Sequence, residues 1–177
     1  MNDLARCVEA EIPHLRRFAC SLCGSQHEGD DLVQDTLERA WRKRRSWRGE
    51  GSVRSWLFKI LYRVFLNSRR GAGVPHEEMQ EDVMAASGVE SFLPQEARLM
   101  ADDMLRALAA LPEPQRAPVL LMALESVSYD EAADILGIPV GTLRSRLSRG
   151  RETLRQSMRG GSEIAARRST RRLRRVK

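Results

Sequence analysis

The side chains with the most chemical capacity sit on one stretch near the C-terminus. Thr142, Arg144, Ser145, Arg146, Ser148 and Arg149 set short hydroxyls among guanidinium forks. Hydroxyls allow close approach to base edges, and a guanidinium can donate two parallel hydrogen bonds to guanine O6 and N7 or to a phosphate. That chemistry is the reading of a DNA duplex, and it needs the side chains in one row on a rod narrow enough for a major groove. Val140, Leu143, Leu147 and Leu154 recur at helical spacing on the opposite side, which turns the row outward with Arg151 beside it. An arginine-rich solvated helix gives the same pattern, so the element in front of it has to decide.

That element is Ser128 to Leu136. Ser128 can accept from the first-turn N–H groups, with Glu131 completing a capping box. Tyr129, Ala132, Ala133 and Leu136 form one buried stripe. Gly137 suits a left-handed helix end, and Pro139 cannot continue the helix, so GIP predicts a tight turn between two steeply crossed helices. A compact helix-turn-helix that presents a basic row favours DNA over a merely solvated surface.

The rest of the chain offers no catalytic constellation. Paired carboxylates with metal ligands, a phosphate-cradling glycine loop and a nucleophile beside a base are not found, so no enzyme, cofactor or metal is expected. Cys7, Cys20 and Cys23 are three in number, which argues against a disulfide framework. Cys20 and Cys23 with His14 and His27 lack finger spacing, and small buried or half-buried thiols are expected instead. The net charge of +6 over 177 residues points to a polyanionic partner. With no apolar run of about 18 residues and no apolar leader core, a cytoplasmic chain without membrane insertion is expected.

The order of apolar periods and breaks predicts an all-α chain of two small helical domains joined by a flexible linker. After Pro13, placed in a first turn, Leu15, Phe18, Ala19 and Leu22 predict a helix of about three turns. A polar break from Gly24 to Gly29 leads to a second helix that buries Val33, Leu37, Ala40 and Trp41. Its other face carries Asp31, Gln34, Asp35 and Glu38, with Arg42 to Arg45 following. Acids first and bases last complement the helix dipole, so this stripe fits either a solvated face or a docking surface. A basic loop around Trp47 precedes a helix from Ser52 to Arg70, with Val53, Trp56, Leu57, Ile60, Leu61 and Val64 inward. Its far side has Phe58, Tyr62, Phe65 and Leu66 among Lys59, Arg63, Asn67, Arg69 and Arg70. Apolar nearly all round, it is either central to a bundle or a stacking platform for unpaired bases. The boundaries are 1–70, an acidic linker over 71–101, a second unit over 102–158 and a basic tail over 159–177 without fixed structure.

Read together, these stretches resemble an RNA polymerase sigma factor of the sigma-70 family, extracytoplasmic function (ECF) type, reduced to regions two and four. The resemblance rests on DDLVQDTLERAW from Asp30, SWRGEGSVRSWLFKIL from Ser46, LPEPQR from Leu111 and SYDEAADILGIPVGTLRSRLSRGR from Ser128. It implies a subunit that directs promoter-specific initiation, with partners in the polymerase core, promoter DNA and an anti-sigma protein. Asp31, Gln34, Asp35 and Glu38 would dock on the β′ clamp helices, with the β subunit also in contact. Trp47, Arg54, Lys59, Tyr62, Arg63, Asn67, Arg69 and Arg70 would recognise and hold open the minus-ten element, with one base flipped into a pocket. Thr142, Arg144, Ser145, Arg146, Ser148 and Arg149 would read the minus-thirty-five element, and the linker would thread toward the RNA exit path. Where many relatives carry WLxxIxxN, Arg63 stands at the asparagine position. The alternative is a stand-alone helix-turn-helix regulator that binds duplex without polymerase, a reading that leaves the DDLVQDT helix without a task.

Overall fold

The computed structural model describes the backbone of residues 2–47, 49, 51–72 and 95–173, and the side chains of 3–45, 47, 49, 51–70 and 100–159. Among the described residues are seven α-helices and one 3-10 turn, with no strand. The helices are α1 (Asn2–Cys23), α2 (Gln26–Lys43), α3 (Val53–Ala72), α4 (Gln95–Ala109), α5 (Glu113–Leu124), α6 (Tyr129–Leu136) and α7 (Val140–Leu173); the 3-10 turn is Arg44–Ser46. The first three form one bundle and the last four a second.

Pro13 does not open α1 as the sequence predicts; it lies inside a helix of 22 residues. A proline there removes the hydrogen bond to the carbonyl of Glu9 and crowds it. Pro13 and Glu9 both face solvent, where water can satisfy that carbonyl, while Leu15, Phe18, Ala19 and Leu22 downstream are fully buried. The break after α1 is also shorter than expected, only Gly24 and Ser25. The amide of Gly24 bonds the carbonyl of Cys20 at 2.9 Å, and Ser25 Oγ accepts from the amide of Glu28 at 3.4 Å, so α2 is capped at once.

That early start brings Gly29 against α1. A Cβ on Gly29 would lie 2.6 Å from the Cα of Cys20, inside any real contact distance, so the two helices approach at a point only glycine allows. Val33 and Ala40 are buried as expected and Leu37 is half-buried, but Trp41 is 54% exposed. Leu32 and Thr36 take the inward positions instead. Thr36 is buried only because its hydroxyl donates to the Leu32 carbonyl at 2.7 Å.

For α3 the bundle-centre reading holds and the stacking platform does not. Phe58 is fully buried, Tyr62 and Phe65 nearly so, together with Leu57, Leu61 and Val64. Phe58 meets Phe18 of α1 with ring centroids 5.3 Å apart. One side of α3 faces α1 and α2. The other is covered by α6 and by the turn between α4 and α5, whose Leu111 is almost fully buried. The apolar side chains of both bundles therefore join in one contiguous cluster, from Leu15 to Leu147.

Two boundaries move. Helix α4 begins at Gln95, inside the 71–101 span expected to be a linker, because QEARLMADDMLRALA is rich in good helix formers although its acids blur the apolar period. Most of that linker, 73–94, lies outside the described residues. The basic tail is also not without structure at its start: α7 continues through Leu173, extending a helix already nucleated over the preceding turns. Residues 174–177 lie outside the described residues.

Candidate nucleic-acid interface

The start of α7 is set by the turn before it. Ser128 Oγ accepts from the amide of Glu131 at 3.1 Å and starts α6. Gly137 ends it at φ 65° and ψ 37°, a left-handed conformation that glycine adopts without strain, and the amide of Ile138 closes the end on the Ala133 carbonyl at 3.0 Å. Ala132, Ala133, Ile135 and Leu136 bury that helix, and Leu143 and Leu147 bury α7. Gly150 lets α7 lie close on α5, since a Cβ there would be 2.8 Å from Val119 Cγ2. Arg144, Ser145, Ser148 and Arg149 are consequently exposed in one row, with Thr142 and Arg146 half-buried at its edge. Ser145 Oγ donates to the Thr142 carbonyl at 2.9 Å, which leaves its lone pairs outward. Tyr129, expected inside, is 38% exposed beneath the Arg144 guanidinium, 5.7 Å from its ring centroid, so it steadies that arginine.

The residues assigned to strand-separated DNA divide into two groups. Arg63, Asn67 and Arg70 are exposed on α3, and Arg69 lies over the Phe65 ring at 5.4 Å and 3.5 Å from Glu28. Arg54, Lys59 and Tyr62 instead face the second bundle. Arg54 Nε donates to Glu11 at 2.7 Å and its Nη1 lies 3.4 Å from Glu125; the Glu11 hydrogen bond, above all, raises its pKa further. Lys59 Nζ is 2.5 Å from Asp134, and the Tyr62 hydroxyl donates to Glu113 at 2.6 Å. Burial first, and that hydrogen bond second, push the Tyr62 phenol above its ordinary range, so it stays protonated as a donor.

Trp47 leaves the basic loop to meet Trp56, ring centroids 5.2 Å apart. The pair lines a cleft of about 440 Å³ with Ser55 and Lys59, and the opposite wall is the start of α6, with Asp130, Glu131 and Asp134. Here the capping box is only half made. The Glu131 carboxylate does not return to the amide of Ser128; it accepts a hydrogen bond from the Ser55 hydroxyl.

Asp31, Gln34, Asp35 and Glu38 are all exposed along one face of α2. His27 pairs with Asp31 at 3.0 Å and Arg42 with Glu38 at 3.3 Å, both one turn apart and solvated, contacts of small energy that leave the face available. Beneath it a cleft of about 280 Å³ opens between α2 and α3, lined by Leu32, Val64 and Phe65.

The sequence reading missed the carboxylates that meet these cations. Glu125 is the chief one. Its side chain is 1% exposed and takes His14 Nδ1 at 3.0 Å, Arg17 at 2.9 Å and Arg54 at 3.4 Å. A lone acid among apolar neighbours, ALESV, was the available signal. Cys20 and Cys23 are buried and Cys7 exposed; burial pushes the Cys23 thiol up to about 12.

Comparison with known proteins matches both bundles. Residues 8–62 match the family described as the Sigma2 domain of PhyR, and residues 101–154 match Sigma-70, region 4. The ECF RNA polymerase sigma factor EcfG of Rhodopseudomonas palustris is 37% identical over 147 residues, 83% of this chain and 80% of the relative. SigE of Mycolicibacterium smegmatis, also an ECF RNA polymerase sigma factor, is 36% identical over 152 residues, 84% of this chain and 58% of the relative. Among solved structures, the sigma factor RpoE of Bartonella quintana in complex with the anti-sigma factor NepR aligns with a TM-score of 0.73 at 30% identity, over 90% of this chain and 98% of that one. CnrH bound to the cytosolic domain of CnrY aligns with a TM-score of 0.65 at 24% identity, a likeness of fold.

Proposed function

The chain belongs to the ECF RNA polymerase sigma factor family, and from that premise we propose that it is the promoter-specificity subunit of a bacterial RNA polymerase, a DNA-binding initiation factor with no catalysis of its own. The observation that carries this reading is the outward row Arg144, Ser145, Ser148 and Arg149 on a capped helix-turn-helix, in the same chain as a second bundle with an exposed acid face.

The geometry supports a role for each group. The α7 row enters the major groove of the minus-thirty-five element, its hydroxyls near base edges and its arginines on guanine or phosphate. Asp31, Gln34, Asp35 and Glu38 dock on the clamp helices of the core. The Trp47 and Trp56 rings, with Lys59 beside them, suit a flipped base of the minus-ten strand, because stacking on two aromatic faces offsets the few kcal/mol lost on unstacking. Arg63, Asn67, Arg69 and Arg70 follow the same strand along α3, whereas Arg54 and Tyr62 face the second bundle. Arg63, exposed on α3, stands at the asparagine position of the WLxxIxxN pattern and offers the strand a guanidinium fork in place of an amide. The exposed faces of both bundles suit an anti-sigma partner. No helix among the described residues is long and apolar enough to cross a membrane, in keeping with work in the cytoplasm on the transcription machinery.

Two small modules gain avidity only when their sites are presented together, so the chain alone binds promoter DNA weakly and the core polymerase supplies the spacing. Purified chain, core polymerase and a genomic promoter pool should give initiation at a discrete promoter set. Asp35→Arg should abolish it by preventing core binding while leaving the helical content unchanged. Tight, specific duplex binding without core, together with undiminished initiation by the variant, would overturn this reading.

A further inference from the structure

We propose that the far half of α7 and the basic residues after it form a phosphate arm that grips duplex DNA beside the element read by the first turns of the same helix, given the assignment of those turns to the minus-thirty-five duplex. Residues 159–177 carry eight of the chain's 30 Lys and Arg and one of its 24 Asp and Glu. Residues 1–158 therefore hold 22 bases against 23 acids, a net charge of −1, and the whole excess of +6 lies in this short stretch. The outward row of Arg144, Ser145, Ser148 and Arg149 is thus set in a body with no surplus positive charge. Affinity for duplex DNA comes largely from neutralised phosphates, so the arm supplies what that body lacks.

The spacing suits the task. Arg151, Arg155, Arg159, Arg167 and Arg171 stand four or eight residues apart, with Glu163 in the one gap, and Arg168 and Arg172 repeat the interval. A step of four sets neighbouring guanidiniums one turn apart along a helix. The bases are arginines except Lys177, and a guanidinium fork matches two phosphate oxygens. The backbone carries this pattern without a break, since α7 is one helix from Val140 to Leu173. Leu154 still packs against the core, whereas Arg155, Gln156, Ser157 and Arg159 are exposed, so a packed helix becomes a projecting one. At a rise of about 1.5 Å per residue, Leu173 lies about 36 Å beyond Arg149, close to one turn of B-DNA. A recognition helix places its N-terminal residues on base edges, which directs the remainder of α7 out of the groove and over the neighbouring backbone. There the arm adds affinity and no sequence preference. An RNA or an acidic protein surface has the same charge. Flanking duplex is the better match because α7 is already seated in it, at an effective concentration no free partner reaches.

The test uses holoenzyme made with the full chain and a promoter duplex that it uses. Arg167→Gln, Arg168→Gln, Arg171→Gln and Arg172→Gln together remove four charges while keeping good helix formers. In a salt series this variant should bind about tenfold more weakly at low salt, with a salt slope smaller by about 3 to 4, since each lost phosphate contact removes about 0.9. Hydroxyl-radical footprinting should show protection lost within about one turn of the minus-thirty-five element and kept on the element itself. Lysine at the same four positions should restore both the slope and the flanking protection, which a purely structural role for the arginines would not predict. An unchanged slope and footprint would make the arm a solvated helix and overturn the proposal. Weaker binding with the flanking protection intact would overturn it too, placing the arm on RNA or on the polymerase. Arg149→Ala separates failure of the arm from failure of the assignment of α7. If Arg149→Ala weakens protection of the element while the glutamine variant changes nothing, the arm alone is wrong; if Arg149→Ala also changes nothing, α7 is not in the groove and both ideas fall.

Discussion

Removing the Glu125 carboxylate should loosen the junction of the two bundles more than any other single polar change. Its side chain is 1% exposed, and three cationic or donor groups converge on it from two helices of the first bundle: His14 and Arg17 of α1, and Arg54 of α3. Truncating one member of a buried ion pair costs about 3–5 kcal/mol when the remaining charge is left dry. Here the remaining partners are not dry, because the side chains of His14, Arg17 and Arg54 are 34%, 49% and 30% accessible and can rehydrate. The expected loss for Glu125→Ala is therefore about 2–3 kcal/mol, two charge-assisted hydrogen bonds less what water restores. Glu125→Gln, which keeps an acceptor of the same shape, should lose about half as much. In a chain of this size each kcal/mol moves the thermal midpoint by about 2–4 °C, so Glu125→Ala should melt about 5–10 °C lower when followed by circular dichroism. In a double-mutant cycle with Arg17→Ala the losses should be strongly non-additive. A shift under 1 °C for Glu125→Ala, or additive losses in the cycle, would show that this cluster does not hold the bundles together.

Gly29→Ala should destabilise the first bundle by about 1–3 kcal/mol in urea denaturation, because the new methyl meets the backbone of Cys20 at 2.6 Å and α2 must back away from α1; an unchanged midpoint would mean the helices do not pack so closely. A thiol reagent should modify Cys7 quickly and leave Cys20 and Cys23 unreacted until the chain is unfolded, since only Cys7 is exposed. Because the Cys23 thiol is raised from 9.0 to about 12, its contribution to stability is complete below pH 9. Between pH 9 and 12 the unfolded chain gives up this proton and the folded chain keeps it, so stability should fall by about 1.4 kcal/mol per pH unit from this group. Cys23→Ala should show a shallower alkaline loss in the same range. Arg149→Ala should cost about 1–3 kcal/mol in promoter binding by the holoenzyme and relax preference at one base pair. A loss that is equal for all sequences and carries a smaller salt slope would place Arg149 on a phosphate.

Local order was legible in the residues. Ser128, Gly137 and Pro139 fix the turn through capping and backbone preference, and the apolar spacing of α6 and α7 fixes which side faces outward, so the reading row needed no knowledge of the remaining chain. The same holds for the acid face of α2. Pairings between distant segments were not legible. His14 and Arg17 meet Glu125 across more than a hundred positions of sequence, and no local period records which carboxylate will face which cation. The same reason explains Trp41 outside, Phe58 inside and the closeness permitted by Gly29: each depends on which neighbour arrives to cover it. Periodicity assigns a side chain to a face of its own helix, and only the assembled bundles decide whether that face meets water, another helix or an opposite charge.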